Sequence, residues 1–211
     1  TISNNRGIGI GIKNSGDLNI TNSTFSGNAG TGIFNQGNGS VDVSNSTIAN
    51  NQGDSDAGGV QNENDSVDSF VLSSNIIANN SGSADLGGEA FTSEGNNLIG
   101  NGNDVDGFVD SDLVGTDDSP INPQLGELQD NGGLTETLAL QEDSPAIDAG
   151  SNSDNLTFDQ RGEGFDRTVG DATDIGAYEV QDNGGGQMNE ELVVSTLEDE
   201  NDGDYSEGDL S

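Results

Sequence analysis

The chain has no cysteine and no histidine. Without cysteine there is no disulfide to close a loop, and the redox compartment is left open. With both missing, most nucleophile–base pairs of covalent catalysis cannot be built. Basic residues are nearly as scarce. Arg6, Lys13, Arg161 and Arg167 stand against 39 acidic residues, for a net charge of −35. No cationic patch exists to neutralise phosphates, so nucleic acid is excluded as a partner. Anionic membrane surfaces are excluded on the same ground, and no run of about 18 apolar residues offers a membrane span. Only two Tyr and seven Phe are available to stack on sugars. The partners left to such a surface are cations and water, and it stays soluble in high salt.

With 28% hydrophobic residues and so much charge, the composition lies near that of disordered proteins. A register argues otherwise for residues 1–103. The string Leu18–Asn28, LNITNSTFSGN, returns as Val41–Asn51, VDVSNSTIANN, and as Phe70–Asn80, FVLSSNIIANN. A weaker copy is Phe91–Asn101, FTSEGNNLIGN, and Ile2–Asn5 keeps the tail of an earlier one. Three columns step together by 23, 29 and 21 residues: Leu18, Val41, Phe70, Phe91; then Phe25, Ile48, Ile77, Leu98; then Asn28, Asn51, Asn80, Asn101. A step in the low twenties predicts stacked solenoid units. Within a unit, apolar Leu18 and Ile20 flank a polar residue, the period of a strand with one buried face. Strand, turn, strand, turn in about 22 residues makes one coil of a parallel β-helix. Asn suits the left-handed corners, and stacked coils place its amides in a hydrogen-bonded ladder. The longest step carries polar insertions around 52–57 and 61–69.

After Asn103 the composition shifts. Asn becomes sparse, and 29 of the 39 acids fall in residues 104–211. Residues 104–180 lack the repeat but hold turn signals at Ser119-Pro120, Asn122-Pro123 and Asp130–Gly133. A solenoid must cover its open end, so 104–180 reads as an irregular β cap. Residues 181–191 read as a Gly-rich linker. Residues 192–211 open with a good strand, Leu192–Leu197, followed by an acidic turn.

Four strings in 104–180 resemble a known family. They are Gln129–Leu140, QDNGGLTETLAL; Ser144–Gly150, SPAIDAG; Asp159–Gly162, DQRG; and Asp174–Glu179, DIGAYE. Their order and spacing are similar to the choice-of-anchor Q domain of secreted bacterial surface proteins. The resemblance implies an all-β protein, a right-handed parallel β-helix followed by this segment, and an extracellular or cell-surface location. It implies no catalytic residue. Residues 192–211 resemble the opening of a CSLREA module of the same β-helix type. Tyr205 and Asp209 stand where that family has cysteines, so its disulfide is absent. The chain is therefore expected to be one segment, in a rotated frame, of a longer protein with tandem modules.

The acidic turn Glu198–Asp204 is a candidate Ca2+ site, with Glu198, Glu200, Asp202 and Asp209 as its ligands. Its oxygen donors alternate and a glycine takes the sixth place, as in an EF-hand loop. The alternative is a solvated turn that repels itself. Arg161 is expected to pair bidentately with a carboxylate of the cap, Asp148, Asp174 or Glu179. Carboxylate pairs for glycoside hydrolysis carry no signal here, because 39 acids supply such pairs by accident. No enzyme is expected, and no cofactor beyond the candidate Ca2+. The expected function is a structural module of a filament or matrix protein, its partner another copy of itself joined head to tail. Leu192, Val193, Val194 and Leu197 would form that joint by strand addition. A polysaccharide-binding or -cleaving surface protein and a Ca2+-dependent adhesin are the alternatives.

Overall fold

A computed structural model of the protein describes residues 1–6, 10–53, 57–64, 70–89, 91–103 and 105–181. Strand β1 (Ile2–Ser3) leads into four coils of three strands each. The first holds β2 (Ile12–Asn14), β3 (Leu18–Thr21) and β4 (Thr24–Ser26). The second holds β5 (Ile33–Asn35), β6 (Val41–Ser44) and β7 (Thr47–Ala49). The third holds β8 (Val60–Asn62), β9 (Phe70–Ser73) and β10 (Ile76–Ala78). The fourth holds β11 (Leu86–Gly88), β12 (Thr92–Gly95) and β13 (Leu98–Ile99), and β14 (Leu113–Val114) adds a last rung. Every pairing between coils is parallel. The result is a three-sided solenoid: β2-β5-β8-β11, β3-β6-β9-β12, and β1-β4-β7-β10-β13-β14.

The core needs few apolar residues because each strand contributes one or two. Ile33, Val60 and Leu86 stack on one side, Val41, Phe70 and Phe91 on the second, and Phe25, Ile48 and Ile77 on the third. Phe70 and Phe91 meet edge to face with centroids 5.1 Å apart.

Leu98 and Asn101 do not keep the register read from the sequence. Ile77 pairs with Ile99, and Leu98 lies beside Ile76. The cause is a bulge in β12, where Ser93 faces Leu72 but Gly95 faces Ser73. That one extra residue turns a step of 21 into 22 for everything beyond it.

The corners are made by two rows of left-handed residues. Asn22, Asn45, Ser74 and Asn96 have φ of 52, 48, 57 and 58°. Asn4, Gly27, Asn50 and Asn79 have φ of 55, 67, 61 and 59°. The ladder residues Asn28, Asn51 and Asn80 sit one place after the second row, so neighbouring positions divide the two roles expected of one Asn column.

Residues 105–181 do two things. Val105, Phe108 and Val114 pack against the end of the core, and Ile121 N–H donates to Gly100 O at 2.9 Å. This part closes the last coil. The hairpin β15 (Leu125–Gln129) and β16 (Thr137–Leu140) then starts a path back along the flank. Ala149 O accepts from Asn96 Nδ2, Ser151 N–H donates to Ser74 Oγ, and Phe158 O accepts from Asn22 Nδ2. The segment thus runs down the first corner row from the fourth coil to the first, instead of lying wholly across the open end as a cap would. The reason is an apolar outer face. Ile76, Ala78 and Leu98 point out of their sheet and are buried under Leu140, Ala146 and Ile175.

Candidate functional site

Three polar ladders climb the solenoid. In the first, Nδ2 of each amide donates to Oδ1 of the next coil: Asn5 to Asn28, Asn28 to Asn51 and Asn51 to Asn80, at 2.7, 2.8 and 2.9 Å. The second joins Asn14, Asn35 and Asn62 at 3.0 and 2.9 Å. The third joins Asn75 to Asn97 at 3.1 Å. All three run with the donor on the N-terminal side. A ladder of this polarity leaves its last amide with a free donor and needs a pure acceptor there. Asp85 supplies it to Asn80 at 2.9 Å, and Asp112 supplies it to Asn97 at 3.1 Å. Asn101 is outside the ladder. Its N–H donates to the second Asp85 oxygen and its side chain to Asp117. Burial pushes the Asp85 carboxyl up, against the donors from Asn80 and Asn101.

The flank segment is pinned by a buried ionic network. Arg161 pairs with Asp159, its Nη2 2.6 Å and Nε 2.9 Å from Oδ2. The guanidinium lies between the rings of Phe165 and Tyr178, 4.0 and 3.8 Å from their centroids. The expected pairing of Arg161 with a carboxylate is present, but the partner is Asp159, two residues away. Asp148, Asp174 and Glu179 accept from backbone N–H groups instead. Asp148 Oδ1 accepts from Asp171 and Ala172 N–H, and Asp174 accepts from Asp148 and Val180 N–H. Glu179 accepts from Val169 and Asp174 N–H at 2.8 and 2.9 Å.

Nothing in the sequence beyond its charge marks Arg167, yet it is fully buried. Nη2 reaches Asn45 Oδ1 at 2.8 Å and Asp174 O at 3.1 Å. Glu179 Oε2 lies 3.7 Å from Nη1, an ion pair too long to be a hydrogen bond. Nε and Nη1 have no hydrogen-bond partner among the described residues. Burial pushes the Glu179 carboxyl up to about 7 and the Arg167 guanidinium down. A shifted acid in a cleft would suggest catalysis. Glu179 is 0% exposed, and burial is the largest cause of its shift, with the Asp174 carboxylate adding to it. The four family-like strings converge on this network: Gly133 abuts Arg161, Ala146 packs on the outer core, and Gly176 (φ 97°) sits on Thr47 and Ile76.

Other expected sites lie elsewhere. The Ca2+ candidates Glu198, Glu200, Asp202 and Asp209 and the joint Leu192, Val193, Val194 and Leu197 lie outside the described residues. Among the described residues, no group of three or more Asp or Glu is placed to hold a metal ion, and no helix is long and apolar enough to cross a membrane.

A family model described as right handed beta helix region matches residues 1–116, over half the chain. The chain belongs to the right-handed β-helix family. That match ends near β14, where the last rung of the β-helix ends, so the flank segment lies beyond it. No curated protein and no solved structure matches this β-helix protein.

Proposed function

We propose that the protein is a non-catalytic extracellular structural module, one of a tandem series in a surface or filament protein. The observation that carries this reading is a strand-like copy of the repeat that follows the covered end of the solenoid. At the C-terminal end of the coils, Asp85 and Asp112 terminate two ladders and 105–121 cover the core. An edge strand is a template for a further strand. Leu192–Ser195, LVVS, repeats the apolar–any–apolar–hydroxyl order of VDVS in β6 and FVLS in β9. It is the segment we assign to strand addition between units. The four strings like those of the choice-of-anchor Q domain support a cell-surface or extracellular setting, and the absence of His and Cys supports a non-catalytic role.

Electron microscopy of the native extracellular material tests this. Continuous filaments with a regular axial repeat are expected. Isolated short rods would overturn the tandem-fibre reading.

One observation favours a second reading, glycan binding on the β2-β5-β8-β11 face. There Lys13 Nζ lies 5.4 Å from the Phe34 ring centroid, in register with Gln61 and Gly87. Retention on an acidic polysaccharide column that is lost in Phe34→Ala would support it.

A further inference from the structure

Asn-Gly pairs are the residues most prone to chemical change in this protein, because glycine leaves its nitrogen unshielded and asparagine is thermolabile. Three of the four lie in the described residues: Asn38-Gly39, Asn101-Gly102 and Asn131-Gly132. The fourth, Asn183-Gly184, lies outside them. Two of the three are tied down. Asn101 Nδ2 donates to Asp117 at 2.6 Å, and Gly102 N–H donates to Gly115 O at 3.1 Å. Asn131 Nδ2 donates to Thr137 O and Oγ1 at 2.9 and 3.0 Å, and Gly132 N–H donates to Asp130 at 2.9 Å. Asn38 differs. It is exposed in the bend between β5 and β6. Neither its amide nor the Gly39 N–H has a hydrogen-bond partner among the described residues.

The fold also fixes the glycine. A Cβ on Gly39 would collide with the Gly16 carbonyl and lie 2.6 Å from Asp17 N, and one on Gly37 would lie 2.6 Å from Ser15 O. The corner of the second coil rests directly on that of the first, so no side chain can shield the nitrogen at 39.

We propose that Asn38-Gly39 is a site of self-modification in the folded protein, where Asn38 converts to aspartate and isoaspartate. Gly39 N gives its proton to solvent base and attacks Asn38 Cγ. A new N–Cγ bond forms, the Cγ–Nδ2 bond of Asn38 breaks, and ammonia leaves, closing a succinimide. Water then opens the ring. Attack at the carbonyl derived from Cγ breaks the new bond and gives aspartate. Attack at the original backbone carbonyl gives isoaspartate. No electron is transferred, and water is the only co-reactant. Isoaspartate lengthens the backbone by one methylene between Gly37 and Gly39. The next bonds are those that seat the corner: Ser40 N–H and Oγ to Asp17 at 3.0 and 3.1 Å, and Leu18 N–H to Ser40 O at 2.8 Å. The product therefore loosens the second coil on the first.

The test is incubation of the full protein in mildly alkaline buffer, native and in parallel in urea. Peptide mapping by mass spectrometry then separates aspartate from isoaspartate at each site. In the native protein Asn38 should convert more than about tenfold faster than Asn101 or Asn131, with the difference collapsing in urea, where protective bonds are open. Asn38→Gln should abolish conversion there and leave the circular dichroism unchanged. Equal native rates at the three sites, or an intact Asn38 beside a converted Asn101 or Asn131, would overturn the assignment. The isoaspartate form should unfold at lower denaturant than Asn38→Asp, which carries the same charge without the methylene. Equal midpoints would overturn the loosening.

Discussion

An asparagine in the middle of a ladder and an aspartate at its end are not interchangeable, although they differ by one atom. Asn51 both accepts from Asn28 and donates to Asn80. Asn51→Asp keeps the acceptor but sets oxygen against oxygen toward Asn80, in a buried column. We expect it to cost about 2–3 kcal/mol in denaturant unfolding, whereas Asp85→Asn, at the terminus, costs about 1 kcal/mol. Equal costs would mean the ladder has no polarity. Glu179 gives a second prediction. Its folded pKa is raised to about 7 from 4.5, so between these values the native state holds a proton that the unfolded state has lost. Its contribution to stability is therefore complete below pH 4.5 and is lost as pH rises through 7, up to about 3 kcal/mol. Unfolding midpoints should fall between pH 5.5 and 8, less so in Glu179→Gln; an unchanged slope in the variant would reassign the effect to other groups. Arg167→Met should cost about 3–5 kcal/mol at pH 8, by stranding Glu179, and less at pH 5.5, where the acid is protonated.

Strands and corners divide into what the sequence shows and what it hides. Columns of apolar residues at a fixed step are visible in one dimension, because parallel coils stack like on like. That is why Leu18, Val41, Phe70 and Phe91 stand where expected. A bulge is invisible, because it changes the partner of a residue and not its identity, so Leu98 and Asn101 fall one place off. The flank segment does leave a signal, though an easily overlooked one. Thr24-Phe25 and Thr47-Ile48 alternate polar and apolar, but Ile76-Ile77 and Leu98-Ile99 are apolar on both faces, and a strand apolar on both faces needs a second cover. Arg161 stands out by its rarity among acids, but its partner Asp159 does not, since pairing depends on how the backbone folds back over two residues. Removing the cover should be costly: Ile175→Ala is expected to destabilise by about 2–4 kcal/mol. Hydrogen exchange should then rise in residues 144–181 before it rises in the coils. Uniform exchange throughout would show the flank and coils to be one cooperative unit.

At the largest scale, residues 1–181 are a stack of coils with a return path. The coils lead away from Thr1, and the flank segment leads back. Gln160 touches both Thr24 and Thr1, Thr1 Oγ1 donates to Glu136 O, and Gln181 bonds to Asp166 and Glu179, beside the Arg161 pair. Residues 1 and 181 therefore stand at the same level of the coils. Mechanically, a pull applied between them does not stretch the coils in series. The load enters and leaves near the first coil, crossing the Gln160 and Arg161 contacts in shear, while the later coils hang to one side unloaded.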